Sequence, residues 1–221
     1  MPLTIYQLPH SPYCIPITRA LEALGVEFEV LNVTPHTREE VIQRSEGKFY
    51  FVPMLDHNGK LVMESSTESI DIARYVDENF ASGRLFPAEI EAAHLPLVEK
   101  IENELEMAGF VLMDPFYLDS IEDIVARTMI IRHKERKFGP GCVERWREQH
   151  DELFARFLTL LAPAERTLAE QPFLFGITPV YADFALFGIL ENVTWGGTNA
   201  LPESLSNILR WREATKTFRY Q

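Results

Sequence analysis

The sequence predicts an α/β domain with a small mixed sheet, followed by an all-helical domain. Three observations carry this prediction. Strand and helix patterns alternate through residues 1–80. No segment after residue 88 has strand periodicity. Between them runs ASGRLFPAE, a stretch with Gly, Ser and Pro that reads as an exposed linker. The predicted boundaries are therefore 1–80, a linker at 81–88, and 89–221. With 221 residues and 46% apolar composition, the chain can bury a sizeable core.

Taken in order, LTIYQL is a short β-rich run. PHSPYC follows, then an apolar-periodic stretch through Ile17, Leu21 and Leu24 that stops naturally at Gly25. FEVLNV is a second strand, and TPHTREEVIQRSEG is polar with weak helical character. FVPML and KLVM are the third and fourth strands, joined by DHNG, a good hairpin turn. SIDIARYVDENF then places Ile70, Ala73 and Val76 at helical spacing. A helical crossover makes the first two strands parallel, and the hairpin adds an antiparallel pair.

In the second half, Leu95, Val98, Ile101, Leu105, Ala108 and Leu112 step by three and four. Trp146, His150, Leu153, Phe157 and Leu161 do the same, as do Phe184, Phe187 and Leu190. Pro163 interrupts LFARFLTLLAPAERTLAE, which predicts a kink or, alternatively, two helices with a break.

Composition excludes several function classes. A net charge of −12 repels phosphate backbones and anionic membranes, so nucleic acid and membrane partners are not expected. Cys14 and Cys142 fit no disulfide framework or zinc pattern, and the six histidines show no metal spacing. A reducing compartment is the simpler reading of two isolated cysteines. The start MPLTIYQLPH lacks the basic, apolar character of a signal peptide, and no run approaches a transmembrane span. The cytoplasm is the expected location.

Three motifs carry chemistry. Ser11-Pro12-Tyr13-Cys14 lies between a strand and a helix, where unpaired N–H groups stabilise an anion such as a thiolate. A CxxC there is a redox site. With serine first, no disulfide can form inside the motif, but a hydroxyl can donate to a thiolate held by the protein. Lowering a thiol pKa by about two units takes roughly 2.7 kcal/mol. One charge-assisted hydrogen bond plus a helix dipole is of that size. From the tetrapeptide alone, Ser11 as a simple helix cap is the better reading. Val52-Pro53 opens the third predicted strand, where proline is tolerated. Glu68-Ser69 begins the third helix and can cap it or grip an amino-acid head group. Glu64-Ser65 offers a second register for the same pair.

Strand, SPYC, helix, strand, Val-Pro, hairpin and Glu-Ser in this order resemble the glutathione transferase superfamily, and the helical second half extends the resemblance over the whole chain. SPYC looks like the CPYC of glutaredoxins with its leading cysteine replaced. LPHSPYC resembles the active-site turn of serine-type transferases. TESIDIARYVDENF is similar to the Glu-Ser helix of the family, and spacing to Ile72 and Tyr75 selects Glu68-Ser69. The resemblance implies a thioredoxin-like domain that holds glutathione as co-substrate. Ser11 would face its sulfur. Val52, before a cis Pro53, would pair with the cysteinyl part, and Glu68 and Ser69 would hold the γ-glutamyl end. It further implies a homodimer and transfer to a small hydrophobic electrophile.

Three positions depart from the family pattern. Lys48 and Tyr50 are the candidates for the glycyl carboxylate, without a clear match. Val180 stands where a capping hydroxyl belongs, three residues before Asp183. Ile15-Pro16 follows the active-site turn in place of a basic residue. For the acceptor pocket the candidates are Tyr13 with Phe110, Met113, Phe116 and Tyr117 from the aromatic stretch GFVLMDPFYLD. Cys14 reads as a small buried hydrophobe. The competing functions are a non-catalytic binding or scaffold protein, glutathione-dependent reductive cleavage, and a thiol oxidoreductase using Cys14.

Overall fold

The computed structural model describes residues 3–64 and 70–221. Its first part holds β1 (Leu3–Gln7), α1 (Cys14–Ala23), β2 (Glu29–Asn32), α2 (Glu39–Arg44), β3 (Met54–His57), β4 (Lys60–Val62) and α3 (Asp71–Val76). The sheet order is β2-β1-β3-β4, with β1 and β2 parallel and the other pairings antiparallel. This is the thioredoxin-like arrangement that the element order predicts. β3 starts at Met54, later than the run FVPML suggests, because Val52-Pro53 turns the chain into the strand instead of joining its ladder.

Alternation along β1 explains how the sheet is sandwiched. Leu3 and Ile5 point into the main core with Ile17, Leu21 and Ile72. Tyr6 and Leu8 point the other way, onto Val33, Val41 and Met54 beneath α2. The hairpin closes on Asn58 and Gly59, both at positive φ, with His57 paired to Lys60. That is the two-residue turn whose twist matches the strands.

The second part is helical. α4 (Glu91–Lys100) runs through a wider turn, Ile101–Leu105, into α5 (Glu106–Asp119). α6 (Ile124–Phe138), α7 (Cys142–Glu148), α8 (His150–Glu170), α9 (Tyr181–Val193) and α10 (Ser206–Thr217) follow. α9 is the centre, with every residue from Tyr181 to Leu190 buried, and α1 packs along it.

Three expectations change. α8 continues through Pro163 as one helix, so the two-helix alternative does not hold. Trp146 and His150, read as one helical stripe, fall on two helices that part at Gln149. The linker is not simply exposed. Ser82 and Gly83 turn the chain at positive φ, but Leu85 and Phe86 are buried in the main core. The Leu85 N–H donates to the Asp77 carboxylate, and its carbonyl accepts from the Tyr181 N–H.

The register of α9 is as predicted, and the missing capping hydroxyl at Val180 is compensated. The Val180 carbonyl accepts the Asp183 N–H at 2.9 Å. The buried Asp183 carboxylate accepts from the N–H groups of Val180 and Leu174 and from the Trp211 indole, at 3.0, 2.9 and 2.8 Å. These bonds tie two segments, the turn at Leu174 and α10, to the start of α9.

Candidate functional site

The turn from β1 to α1 is built by Ser11. Its N–H donates to the Leu8 carbonyl at 3.0 Å, and its own carbonyl accepts from Cys14 and Ile15 at 3.1 Å each. Its Oγ accepts from the backbone N–H of Tyr13 at 3.3 Å and of Cys14 at 3.4 Å. The cap reading is therefore correct as far as it goes. A hydroxyl has two acceptor lone pairs and one donor proton. Both contacts use acceptor lone pairs, so the side chain keeps a donor proton, and the Cys14 thiol is one group within its reach.

Two residues of α9 seat this turn. Asn192 donates from Nδ2 to the His10 carbonyl at 2.6 Å. Gly188 lets α9 approach so closely that a Cβ there would lie 2.5 Å from Pro16 Cγ and 2.6 Å from the Pro12 carbonyl oxygen. Cys14 is fully buried, and burial pushes its thiol up to about 11, against the smaller opposing effects of Ser11, Leu8 and Arg38. It behaves as the small hydrophobe expected from the sequence.

Ser11 lines a cavity of about 490 Å³ between the two halves. Arg38 lines the first-domain side, in left-handed backbone conformation, with its Nε donating to the Pro35 carbonyl at 2.9 Å. Its Nη1 is buried and has no hydrogen-bond partner among the described residues. Tyr50 stands 5.8 Å from the guanidinium and also lines the cavity. Lys48 does not line it; it is exposed and paired with Glu46.

Val52-Pro53 is cis, as the resemblance implies. Glu68 and Ser69 lie outside the described residues. Glu64, from the alternative register, accepts from the Asp71 and Ile72 N–H groups at 2.8 and 3.3 Å, and burial raises its carboxyl to about 7.

The opposite wall comes from α5 and α6. Glu106, Phe110, Met113 and Tyr117 follow helical spacing and face the cavity with Tyr13. Phe116 points elsewhere, half exposed and edge-on to His150 at 5.9 Å. The wall is not purely apolar. Lys134 on α6 donates to Asp114 on α5 at 2.7 Å, both buried, with the ammonium 4.6 Å from the centre of the Phe110 ring. Glu106 is raised to about 7, chiefly by burial, and stands against the Tyr13 hydroxyl. His10 stacks 4.4 Å from Tyr117 and is lowered to about 4 by burial and by the charges of Arg38 and Lys134.

Sequence reasoning thus places Ser11, Tyr13, Phe110, Met113 and Tyr117 around one cavity. It misses Arg38, Glu106, Asp114, Lys134 and the supports Gly188 and Asn192. None of these stands out from its neighbours in the sequence.

Residues 5–84 match the family described as the glutathione S-transferase N-terminal domain. By this match the first domain is similar to the glutathione S-transferase superfamily. Glutathione transferase omega-1 of Caenorhabditis elegans is 26% identical over 196 residues, 88% of this chain and 64% of that protein. A probable glutathione S-transferase of Nicotiana tabacum is 29% identical over 80 residues, 36% of this chain and 34% of that protein. The chain spans less than two thirds of the length of these curated relatives. Among solved structures, a glutathione S-transferase of Ceriporiopsis subvermispora in complex with glutathione aligns with TM-score 0.75 at 16% identity, covering 97% of this chain and 93% of that one. That likeness is one of fold. No helix among the described residues is long and apolar enough to cross a membrane.

Proposed function

We propose that this protein is a glutathione transferase that binds glutathione at the SPYC turn and transfers it to a small electrophile with an apolar body. The observation that carries the reading is the Ser11 hydroxyl. It lines the cavity and accepts the first N–H groups of α1 through its lone pairs, so capping does not consume its donor proton. A thiolate placed there gains that hydrogen bond and the field of the helix N-terminus.

The remaining assignments follow the same reading. Val52, before the cis Pro53, pairs with the cysteinyl backbone. Glu68 and Ser69 hold the γ-glutamyl end. Arg38, with its unpartnered Nη1, takes the glycyl carboxylate in place of Lys48, with Tyr50 beside it. Tyr13, Phe110, Met113 and Tyr117 form the acceptor wall, and Phe116 is left out of it. Residues 1–80 form the glutathione domain and 89–221 the acceptor domain. The protein works as a cytoplasmic homodimer in this reading.

Calorimetry with millimolar glutathione tests the binding, and absence of heat from folded protein overturns it. Ser11→Ala then tests the mechanism. Affinity should stay near wild type, while the bound thiol's pKa rises and turnover falls roughly a hundredfold for a loss of ~2.7 kcal/mol. Unchanged thiol pKa and turnover would reduce Ser11 to a cap. Ser11→Cys should add a mixed disulfide with glutathione.

A further inference from the structure

A second cavity, of about 120 Å³, lies among the helices of the second half and shares no lining residue with the cavity at Ser11. Two irregular helical segments meet across it. On one side the turn Ile101–Leu105 is wound more widely than an α-helix, with the Glu106 N–H reaching back five residues to the Ile101 carbonyl. On the other side Pro163 withholds a backbone donor inside α8. Ile101 and Leu105 of the turn, Leu161 and Ala164 of α8 and Leu186 of α9 give the walls their apolar character. The rim is polar, with Lys100 and Glu104 paired at 3.7 Å and half exposed.

The wide turn has a second face. Glu102 does not line this cavity. Its carbonyl accepts from the Tyr13 hydroxyl at 3.3 Å, and its carboxylate accepts from the Tyr181 hydroxyl at 3.0 Å. The five residues that wall the second cavity therefore also hold a side chain of the SPYC turn and the first residue of α9.

We propose that the second cavity binds one small apolar molecule with the bulk of a single aromatic ring, and that residues 101–105 transmit its binding to the SPYC turn. This goes beyond the transferase reading and does not depend on it. Size and lining set the ligand class. An apolar cavity of about 150 Å³ made by mutation in another protein stays dry and binds benzene or xenon. None of the buried polar side-chain atoms that lack a partner among the described residues belongs to a residue lining this cavity. A ligand's polar group would therefore lose its water there without compensation. The wide turn supplies the coupling. A ring packed on Ile101 and Leu105 gains those contacts while the turn keeps this winding, so its binding favours the winding that sets Glu102 against Tyr13. A ligand shifts such an equilibrium only by its differential affinity for the two states.

The test uses the full chain, xenon and benzene. Crystals under xenon pressure should show an anomalous peak between Ile101 and Ala164. Ala164→Phe places a ring of its own in the cavity, so it should remove that peak and weaken benzene binding in calorimetry roughly tenfold or more. Saturating benzene should slow amide exchange in residues 12–15 and 101–105 of the wild type by about twofold or more. Ala164→Phe should lose both effects. Tyr13→Phe, without the hydroxyl that reaches Glu102, should keep the slowing at 101–105 and lose it at 12–15. No xenon peak at this cavity, or wild-type slowing confined to 101–105, would overturn the proposal. So would benzene effects that are unchanged in Ala164→Phe. If Ala164→Phe fails to fold, the wild-type xenon peak and the Tyr13→Phe comparison decide. None of these measurements involves glutathione, so their failure leaves the transferase reading standing, and absence of glutathione binding leaves this proposal standing.

Discussion

Gly188→Ala is the substitution that best separates the helical half's support of the active-site turn from mere packing. Gly188 has ordinary helical geometry in α9, so no backbone strain is at issue. The added methyl would stand 2.5 Å from Pro16 Cγ and 2.6 Å from both Pro16 Cδ and the Pro12 carbonyl oxygen. One of these atoms is backbone, and two belong to a ring that has no rotamer to escape into. Overpacking of this kind costs about 1–3 kcal/mol, and rigid partners put it at the upper end. Against this, alanine is favoured over glycine in a helix interior by about 1 kcal/mol. The clash wins by roughly 2 kcal/mol. At about 2–4 °C per kcal/mol for a chain of this size, Tm should fall by about 4–8 °C. The movement that relieves the clash must shift Pro12 away from α9, and Ser11 with it. Glutathione affinity and turnover should therefore drop together with Tm. Scanning calorimetry and glutathione titration of the variant check this. A Tm at or above the wild-type value with unchanged glutathione affinity would refute the claim that α9 positions the turn.

Two more predictions follow from buried groups. Glu64, Glu102 and Glu106 are raised to about 7, 8 and 7, chiefly by burial. Carboxyls that hold protons more tightly when folded contribute stability below their unfolded pKa of about 4.3, and that contribution is lost as pH rises through 7–8. Tm should thus decline between pH 5.5 and 8.5, and Glu102→Gln should flatten the decline; a flat wild-type profile would contradict the assignment. Cys14, fully buried with its thiol near 11, should resist iodoacetamide at pH 8 in the native protein and react only in denaturant. Mass spectrometry of the labelled peptide reads the result, and rapid native labelling would show that the thiol is accessible.

The sequence alone determines the elements of the first domain and their order, because strand and helix periods, Gly25 and the Asn58-Gly59 turn are encoded within a few neighbouring residues, whereas α6 and α10 of the second half show no stripe read above. It also marks the SPYC turn, whose chemistry follows from one residue type at one helix start. Where tertiary contacts compete with local signals, the reading shifts. Pro163 does not end α8. Its position removes one backbone bond, but Phe157, Leu161 and Leu168 bury the same face on either side of it. The linker's Leu85 and Phe86 are drawn into the core although their neighbours are turn-forming residues. Phe116 and Tyr117 are adjacent and equally aromatic, and only the rotation of α5 against α6 and the first domain decides that Tyr117 faces the cavity.

The cavity's polar equipment belongs wholly to the tertiary structure. Arg38, Glu106, Asp114 and Lys134 come from three segments spread over almost a hundred residues, and nothing in their local sequence distinguishes them from surface charges. Their properties arise when packing removes water. Burial raises Glu106 and Asp114, brings Lys134 within 2.7 Å of Asp114, and leaves one arm of Arg38 without a partner among the described residues. Gly188 and Asn192 follow the same logic. One lies 172 residues beyond Pro16 and the other 182 beyond His10, the groups they support. Desolvation and close approach depend on which surfaces meet, and no local pattern in a chain records that.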